Sequence, residues 1–182
     1  MELIRLMVNP NHQQIVKLDK LRSIVLDLML DMEVWNKTNT QVLKQIKLGV
    51  LRKNATQRHG VTRWKIGSDI SNLNPQDVEV IDIHPELLEE RWNAYAAFVL
   101  HHEYIHALGF REHNSKFRFL ENEWPGNRAS KHGSEFTEFL RFKNAKWIWN
   151  CTKCGKDFPR KKPSKGNYKC RECNIILKDR KV

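Results

Sequence analysis

The feature that most constrains this chain is an H-E-x-x-H pattern, formed by His102, Glu103 and His106. It lies inside residues 95–109, an apolar stretch that predicts a buried helix ending at Gly109. Residues four apart on a helix share one face and are separated by about 6 Å along the axis. The two imidazoles could therefore bind one metal ion.

Glu103 would lie at the edge of that face, where it could take a proton from a water rather than bind the metal. The alternative is a helix that carries two surface histidines and a solvated glutamate. The apolar neighbours Phe98, Val99 and Leu100 argue against it, because buried polar groups are costly unless they are satisfied. The motif therefore favours a zinc-dependent hydrolase with Glu103 as its general base.

The four cysteines form a second pattern, in which two C-x2-C pairs are separated by 15 residues: Cys151, Cys154, Cys170 and Cys173. This spacing is typical of a zinc ribbon, in which each pair supplies two thiolates to one tetrahedral site. Two disulfides are the alternative, but residues 1–10 lack the basic and apolar regions of a signal peptide. We therefore predict a structural zinc that supplies this segment's folding energy.

The positive charge is concentrated at one end of the chain. Residues 141–182 carry 14 Lys and Arg against three acidic residues, whereas residues 1–140 carry 18 of each. This asymmetry predicts a main domain over residues 1–146 and a basic zinc-ribbon module over 147–182 that binds a polyanion. No apolar run reaches the roughly 18 residues of a membrane span. We expect an intracellular protein, cytoplasmic or chromosome-associated, with no membrane partner.

Hydrophobic periodicity predicts helices over residues 12–35 and 40–48, followed by short strands at 50–53, 61–66 and 78–83. The strands would form a small, mostly antiparallel sheet of three strands. A helical pattern from residue 84 leads to the motif, with a break near 92–93, and the polar stretch 113–130 reads as a loop. Another helix opens near residue 131. The fold class is α+β, and an edge strand could bind a substrate backbone by strand addition.

A catalytic zinc needs a third protein ligand and an open position for water. One known layout places a histidine at position 112, where this chain has Glu112 and the histidine comes one residue later, at His113. A second layout uses a glutamate from a following helix, for which Glu135 and Glu138 are available. The remaining candidate is His132, which is followed by a glycine at the start of a predicted helix.

The order of these motifs resembles that of the SprT-like (Spartan-type) metalloproteases. In that family H-E-x-x-H is followed by a variable loop, then H-G-x-x-F, here His132 to Phe136, then a ribbon with paired C-x2-C knuckles. The resemblance covers about residues 45–175. It implies that His102, His106 and His132 bind the catalytic zinc and that Glu103 is the general base. It also implies a zincin-like protease core, with a role in DNA repair through cleavage of proteins crosslinked to DNA.

The basic segment fits a DNA partner, either single-stranded or with unpaired bases. The candidate contacts are basic side chains for phosphates and aromatic rings for bases: Lys153, Lys156, Arg160, Lys161, Lys162, Lys165, Lys169 and Arg171, with Trp149 and Tyr168. Two rival interpretations remain. One is a non-enzymatic DNA- or RNA-binding protein with a structural histidine site, for which Glu103 would have no use. The other is a zinc peptidase that acts on free peptides.

Overall fold

A computed structural model describes residues 8–126 and 129–182 of the chain. The chain forms two compact units, Met1–Gly133 and Ser134–Val182. The second unit begins before residue 147, the start of the predicted basic module. The division falls within a helix over Ala129–Lys143, which begins in the first unit and continues into the second. Across the described residues, no helix combines the length and apolar character needed to cross a membrane.

The first unit begins with helix α1, His12–Asp31. Asn11 caps it, since its side chain accepts from the backbone N–H of Gln14 while the Gln14 side chain accepts from that of Asn11. The helix ends four residues earlier than predicted, and a 3-10 turn over Glu33–Trp35 follows. The predicted helix 40–48 is a 3-10 helix over Thr40–Gln45. The buried face of α1 supplies part of the core: Leu18, Leu21, Val25, Leu26 and Met29.

The sheet of the first unit contains β1 (Leu48–Val50), β2 (Gly60–Trp64) and β3 (Val78–Ile83) in the order β1-β3-β2. Strand β2 is antiparallel to β3, but β1 is parallel to β3. The prediction of an antiparallel sheet is therefore wrong for β1. All three β1 residues are buried, so the strand has no inside–outside alternation from which its direction could be inferred. Strand β2 lies at the sheet edge.

Helix α2, Asn93–Ala107, carries the H-E-x-x-H pattern. Two 3-10 turns precede it, Pro85–Leu88 and Glu90–Trp92, which confirms the predicted break at 92–93. The helix packs against α1 and β2 and is buried over most of its length. Gly109 has a φ of +97°, a conformation that favours glycine, and its N–H donates to the carbonyl of His106. The predicted end of the helix is confirmed.

The polar stretch 113–130 was predicted as a loop, but it contains helix α3, Ser115–Asn122. The Asn114 side chain caps this helix by accepting from the backbone N–H of Phe117. Only three residues of α3 are buried, Phe117, Leu120 and Glu121. The helix is therefore too short for its hydrophobic periodicity to be recognised in the sequence. Residues 127 and 128 of the predicted loop lie outside the described part of the chain.

The second unit contains most of helix α4 (Ala129–Lys143) and strands β4 (Trp147–Asn150), β5 (Asp157–Arg160) and β6 (Lys178–Lys181). The strands form an antiparallel sheet in the order β5-β4-β6. The buried cluster beside it consists of Trp149, Cys151, Cys170 and Leu177. Two of these four residues are cysteines. The fold is thus mixed α and β, with one three-stranded sheet in each unit.

Candidate metal centres

Three imidazoles converge at the C-terminal end of α2: those of His102, His106 and His113. The Nε2 atom of His113 lies 3.1 Å from that of His106 and 3.2 Å from that of His102. A tetrahedral zinc with Zn–N bonds of about 2.0–2.1 Å has ligand nitrogens about 3.3–3.4 Å apart. The group therefore has the size of a three-histidine metal site.

The other ring nitrogens fix how two of these imidazoles are oriented. The Nδ1 atom of His106 lies 2.8 Å from the carbonyl oxygen of Phe110, which can only accept, so Nδ1 carries the proton. The Nδ1 atom of His102 lies 2.6 Å from Oε1 of Glu121 and donates to that carboxylate. Both Nε2 atoms are then unprotonated in the neutral ring and point their lone pairs into the group. Burial lowers the pKa of His106 to about 4, which favours this neutral form at pH 7.

The third imidazole of the group is His113 rather than the predicted His132. His132 lies at the start of α4, is exposed, and has its ring 6.2 Å from that of Tyr95. Among the described residues the group also includes neither Glu135 nor Glu138. The turn after Gly109 brings His113 back toward α2, although it stands one residue beyond the position of the known layout. The turn is one residue longer than in the known layout, and it still places a histidine side chain beside His102 and His106.

Phe117 of α3 packs against all three imidazoles. Its ring is fully buried, and its centroid lies 4.9 Å from His102, 4.7 Å from His106 and 4.6 Å from His113. The packed Phe117 ring restricts the rotamers of the three imidazoles, because side chains in close-packed interiors have little room to rotate. Helix α3 thus shapes the histidine group.

Glu121 is a site residue that the sequence analysis missed. It is buried, accepts from His102, and also accepts from Arg118 at 2.6 Å. Burial alone would raise the pKa of this carboxyl, but the hydrogen bonds from His102 and Arg118 outweigh it and lower the pKa to about 2. A carboxylate behind a histidine orients the ring for metal binding. The sequence signal that could have identified Glu121 is its position four residues after Phe117, which places an acidic residue on the buried face of a short helix.

Replacing Glu121 with alanine is expected to weaken zinc binding at the histidine group about 10- to 100-fold, because outer carboxylates contribute that much to metal affinity. Competition with a chromophoric chelator measures this affinity directly. Glu123→Ala, an exposed glutamate at the end of α3, is the matched control and should leave it unchanged. Equal affinities for wild type and Glu121→Ala would show that Glu121 does not orient His102.

Glu103 is buried on α2 beside the histidines and outside their group. Its Oε2 atom accepts from Thr62 Oγ1 at 2.8 Å. Burial raises the pKa of this carboxyl, and the charge of His102 and the hydrogen bonds from Thr62 partly oppose that effect. Glu103 and His102 line two neighbouring cavities, one of about 500 Å³ and one of about 440 Å³, and the smaller also includes His106 and His113. The carboxylate therefore borders open space next to the histidine group.

Three further histidines, His59, His84 and His101, lie outside this group. The backbone N–H of Glu86 donates to Nδ1 of His84 at 3.2 Å, so His84 caps a 3-10 turn. His59 Nδ1 lies 2.6 Å from the hydroxyl of Tyr95. His101 is fully buried, and burial lowers its pKa to about 3, so it packs as a neutral ring. None of the three belongs to a metal-binding group of the described chain.

The four cysteines of the second unit lie together as free thiols, so the two-disulfide alternative is not what the structure shows. The sulfurs of Cys154 and Cys170 are 3.8 Å apart. Zinc–sulfur bonds of about 2.3 Å place tetrahedral sulfurs about 3.8 Å apart. The cluster is therefore compatible with zinc.

The two C-x2-C turns have the same backbone geometry. The N–H of Gly155 donates to the carbonyl of Cys151 and the N–H of Asn174 to that of Cys170, both at 2.8 Å. Gly155 and Asn174 follow the second cysteine of each pair and have φ angles of 72° and 54°. Glycine and asparagine are the residues that tolerate this left-handed conformation. The repeated turn directs two sulfurs from each side toward one point.

The pKa values of two of these thiols are displaced in opposite directions. Backbone N–H groups, first that of Cys154, donate to the Cys151 sulfur and lower its pKa to about 6. Burial and the neighbouring thiols raise the pKa of Cys173 to about 12. Without a cation the cluster is therefore not fully ionised at neutral pH, and a bound cation would complete its ionisation.

The basic side chains that were predicted to contact phosphates are all exposed: Lys153, Lys156, Arg160, Lys161, Lys162, Lys165, Lys169 and Arg171. Lys156 also pairs with Glu172. Trp149 is buried, donates its indole N–H to the carbonyl of Lys162, and is covered by the ring of Tyr168 at 4.4 Å. Trp149 is thus a core residue, contrary to its predicted role in base stacking, whereas Tyr168 is 52% exposed.

No protein-family model, curated protein or solved structure matches this chain.

Proposed function

We propose that this chain is a zinc-dependent endopeptidase similar to the SprT-like proteases, and that it cleaves proteins bound or crosslinked to DNA. The observation that carries the proposal is the pairing of three convergent imidazoles with a buried carboxylate that stands outside their group. Structural zinc sites have four protein ligands, whereas catalytic sites have three and keep a position for water. A buried carboxylate beside the ligands, such as Glu103, has a function in a catalytic zinc site, where it can act as the base, but not in a structural one.

The residues present fit a zinc ion, since the Nε2 atoms of three imidazoles lie within 3.2 Å of one another along the two contacts of His113, close to the spacing of tetrahedral ligands. Zinc bound there would supply Lewis-acid chemistry, which acidifies water and polarises a peptide carbonyl. Glu121 and the Phe110 carbonyl hold the His102 and His106 rings in place. Glu103 would take a proton from the attacking water and deliver it to the leaving amine. Burial suits this exchange because it raises the pKa of the Glu103 carboxyl, which makes the carboxylate a stronger base.

The sheet edge supports a peptide substrate. Among the residues that the structure describes, strand β2 pairs with β3 on one side only, and Gly60 at its start lines both cavities that border Glu103. An extended peptide can add to such an edge through main-chain hydrogen bonds, which require no particular sequence. A broad range of protein substrates would follow.

The second unit supports the DNA partner. We infer that its four cysteines form a zinc ribbon whose exposed basic side chains contact phosphates. The exposed ring of Tyr168 is available for stacking on an unpaired base. A DNA-binding module on the same chain raises the local concentration of any protein attached to that DNA. Selection of the substrate would then come from tethering rather than from a specificity pocket.

The direct test is Glu103→Gln, assayed on a protein crosslinked to single-stranded DNA. We expect cleavage to fall about 10²- to 10⁴-fold, the contribution typical of a general base. Metal analysis should still give two zinc per chain, and the unfolding temperature should not fall. Glu112→Gln, an exposed glutamate in the turn after α2, is the matched control and should remain active.

The same assay separates the rival functions. Full activity in Glu103→Gln would exclude Glu103 as the base. A wild-type protein that binds DNA but cleaves nothing would favour a non-enzymatic DNA-binding protein. Equal cleavage of crosslinked and DNA-free protein would favour a peptidase that acts on free peptides.

A further inference from the structure

We propose that Thr62 is a positioning residue that orients the Glu103 carboxylate, and that Gly60 leaves the space which this orientation requires. The inference rests on the proposed function, in which Glu103 is the general base. Both residues belong to β2, the edge strand packed against α2. The strand would then do more than offer an edge to the substrate, since it would also set the direction in which the base meets water.

The hydroxyl of Thr62 contacts Glu103 at two points, and the backbone of Thr62 forms a further hydrogen bond with the Glu103 carboxylate. Its Oγ1 atom lies 2.8 Å from Oε2 of the carboxylate and 3.1 Å from the main-chain carbonyl oxygen of the same residue. A hydroxyl has one proton, so it donates to one of these two acceptors at a time. Hydrogen bonds to a carboxylate are the stronger kind, which favours Oε2. With Oε2 held by the hydroxyl, the direction of Oε1, the other carboxylate oxygen, is fixed as well.

Gly60 borders that second oxygen. A Cβ atom at position 60 would lie 2.8 Å from Oε1 of Glu103, 2.9 Å from its Cγ and 2.8 Å from Cγ1 of Val99. Atoms this close would force the carboxylate or the strand to move. The backbone of Gly60 is not in the left-handed region, so its conformation does not explain the glycine. The close approach of Glu103 does.

The strand is fixed to the helix that carries the base. His59, directly before β2, lies within 2.6 Å of the Tyr95 hydroxyl on α2. On its other side, β2 pairs with β3, with Thr62 opposite Ile81. The His59–Tyr95 contact and the pairing with β3 therefore fix the position of the strand segment that carries Thr62. A carboxylate that would otherwise sample several rotamers is restricted to one approach to the water.

A purely structural threonine and a positioning threonine predict different kinetics. Loss of a structural contact would lower stability or zinc content. Loss of positioning would lower kcat while leaving KM, zinc content and stability nearly unchanged, because only the proton transfer becomes less efficient. Thr62→Val keeps the shape of the side chain and removes its hydroxyl, so it separates these two roles.

The test measures kcat and KM on the zinc-loaded full chain for wild type, Thr62→Val, Thr62→Ser and Gly60→Ala. We expect Thr62→Val to lower kcat about 10- to 100-fold, the effect of losing one hydrogen bond to a charged group. Thr62→Ser, which restores the hydroxyl, should recover most of the rate. Thr38→Val, which changes a half-buried threonine of the first unit outside the site, is the matched control and should leave kcat unchanged.

A double-mutant cycle shows whether Thr62 acts through Glu103. Adding Thr62→Val to Glu103→Gln should cost little further activity, since the group to be positioned is already lost. Additive losses, or a Thr62→Val variant with wild-type kcat, would overturn the positioning role alone. Gly60→Ala with wild-type kcat would overturn it even if Thr62→Val failed to fold. A wild type without cleavage would overturn the proposed function and this role with it.

Discussion

The His113→Ala variant is expected to bind one zinc per chain instead of two and to lose proteolytic activity. In the structure the Nε2 atom of His113 lies within 3.2 Å of those of His102 and His106, so its loss would leave two imidazoles at the site. Removing an outer carboxylate already weakens zinc binding about 10- to 100-fold, and removing a direct ligand should weaken it more. Metal analysis after dialysis, together with the crosslink cleavage assay, measures both effects.

His132→Ala is the matched comparison, because it also removes one histidine from the first unit. It should keep two zinc per chain, since His132 stands outside the group. The resemblance to SprT-like proteases implies the opposite result, with His132 as the third ligand. A His132→Ala protein that lost its second zinc, beside a His113→Ala protein that kept it, would show that the resemblance assigns the ligand correctly and the geometry does not.

The parts of the site that could be read from the sequence are those set by local geometry. Four-residue spacing on one helix places His102 beside His106 whatever the rest of the chain does. A C-x2-C turn likewise brings its two sulfurs together, and a glycine or asparagine just after it fits the left-handed position. Strand β3 has the predicted bounds, 78–83, because four of its six residues are valine or isoleucine, which favour strands.

The parts that could not be read depend on contacts between distant residues. Glu121 reaches His102 across 19 residues, and Thr62 reaches Glu103 across 41. His113 joins the group through the turn after Gly109 and the packing of Phe117, neither of which leaves a periodic signal. A family-like motif order pointed to His132 instead. The parallel pairing of β1 with β3 is also non-local, since only the crossover path decides it.

Replacing Cys151 and Cys170 with serine is expected to unfold the second unit while the first unit stays folded. These cysteines are two of the four buried residues in the second unit's cluster, so the mutation removes ligands and core together. Zinc binding to such sites contributes about 10–16 kcal/mol to folding, far more than so small a core can supply. The amide signals of residues 147–182 in an NMR spectrum of the full chain should collapse to unfolded positions. DNA affinity should fall with them.

His106→Ala is the control for this experiment, because it removes a histidine ligand from the first unit and leaves the four cysteines intact. It should preserve the dispersed signals of residues 147–182 and the DNA affinity, while the double cysteine variant should preserve one zinc at the histidine group. The two variants would then lose opposite halves of the proposed activity, cleavage in one and DNA binding in the other. If the double cysteine variant kept both its dispersed signals and its DNA affinity, the cysteine cluster would not be what folds the second unit, and the basic surface would act without a metal.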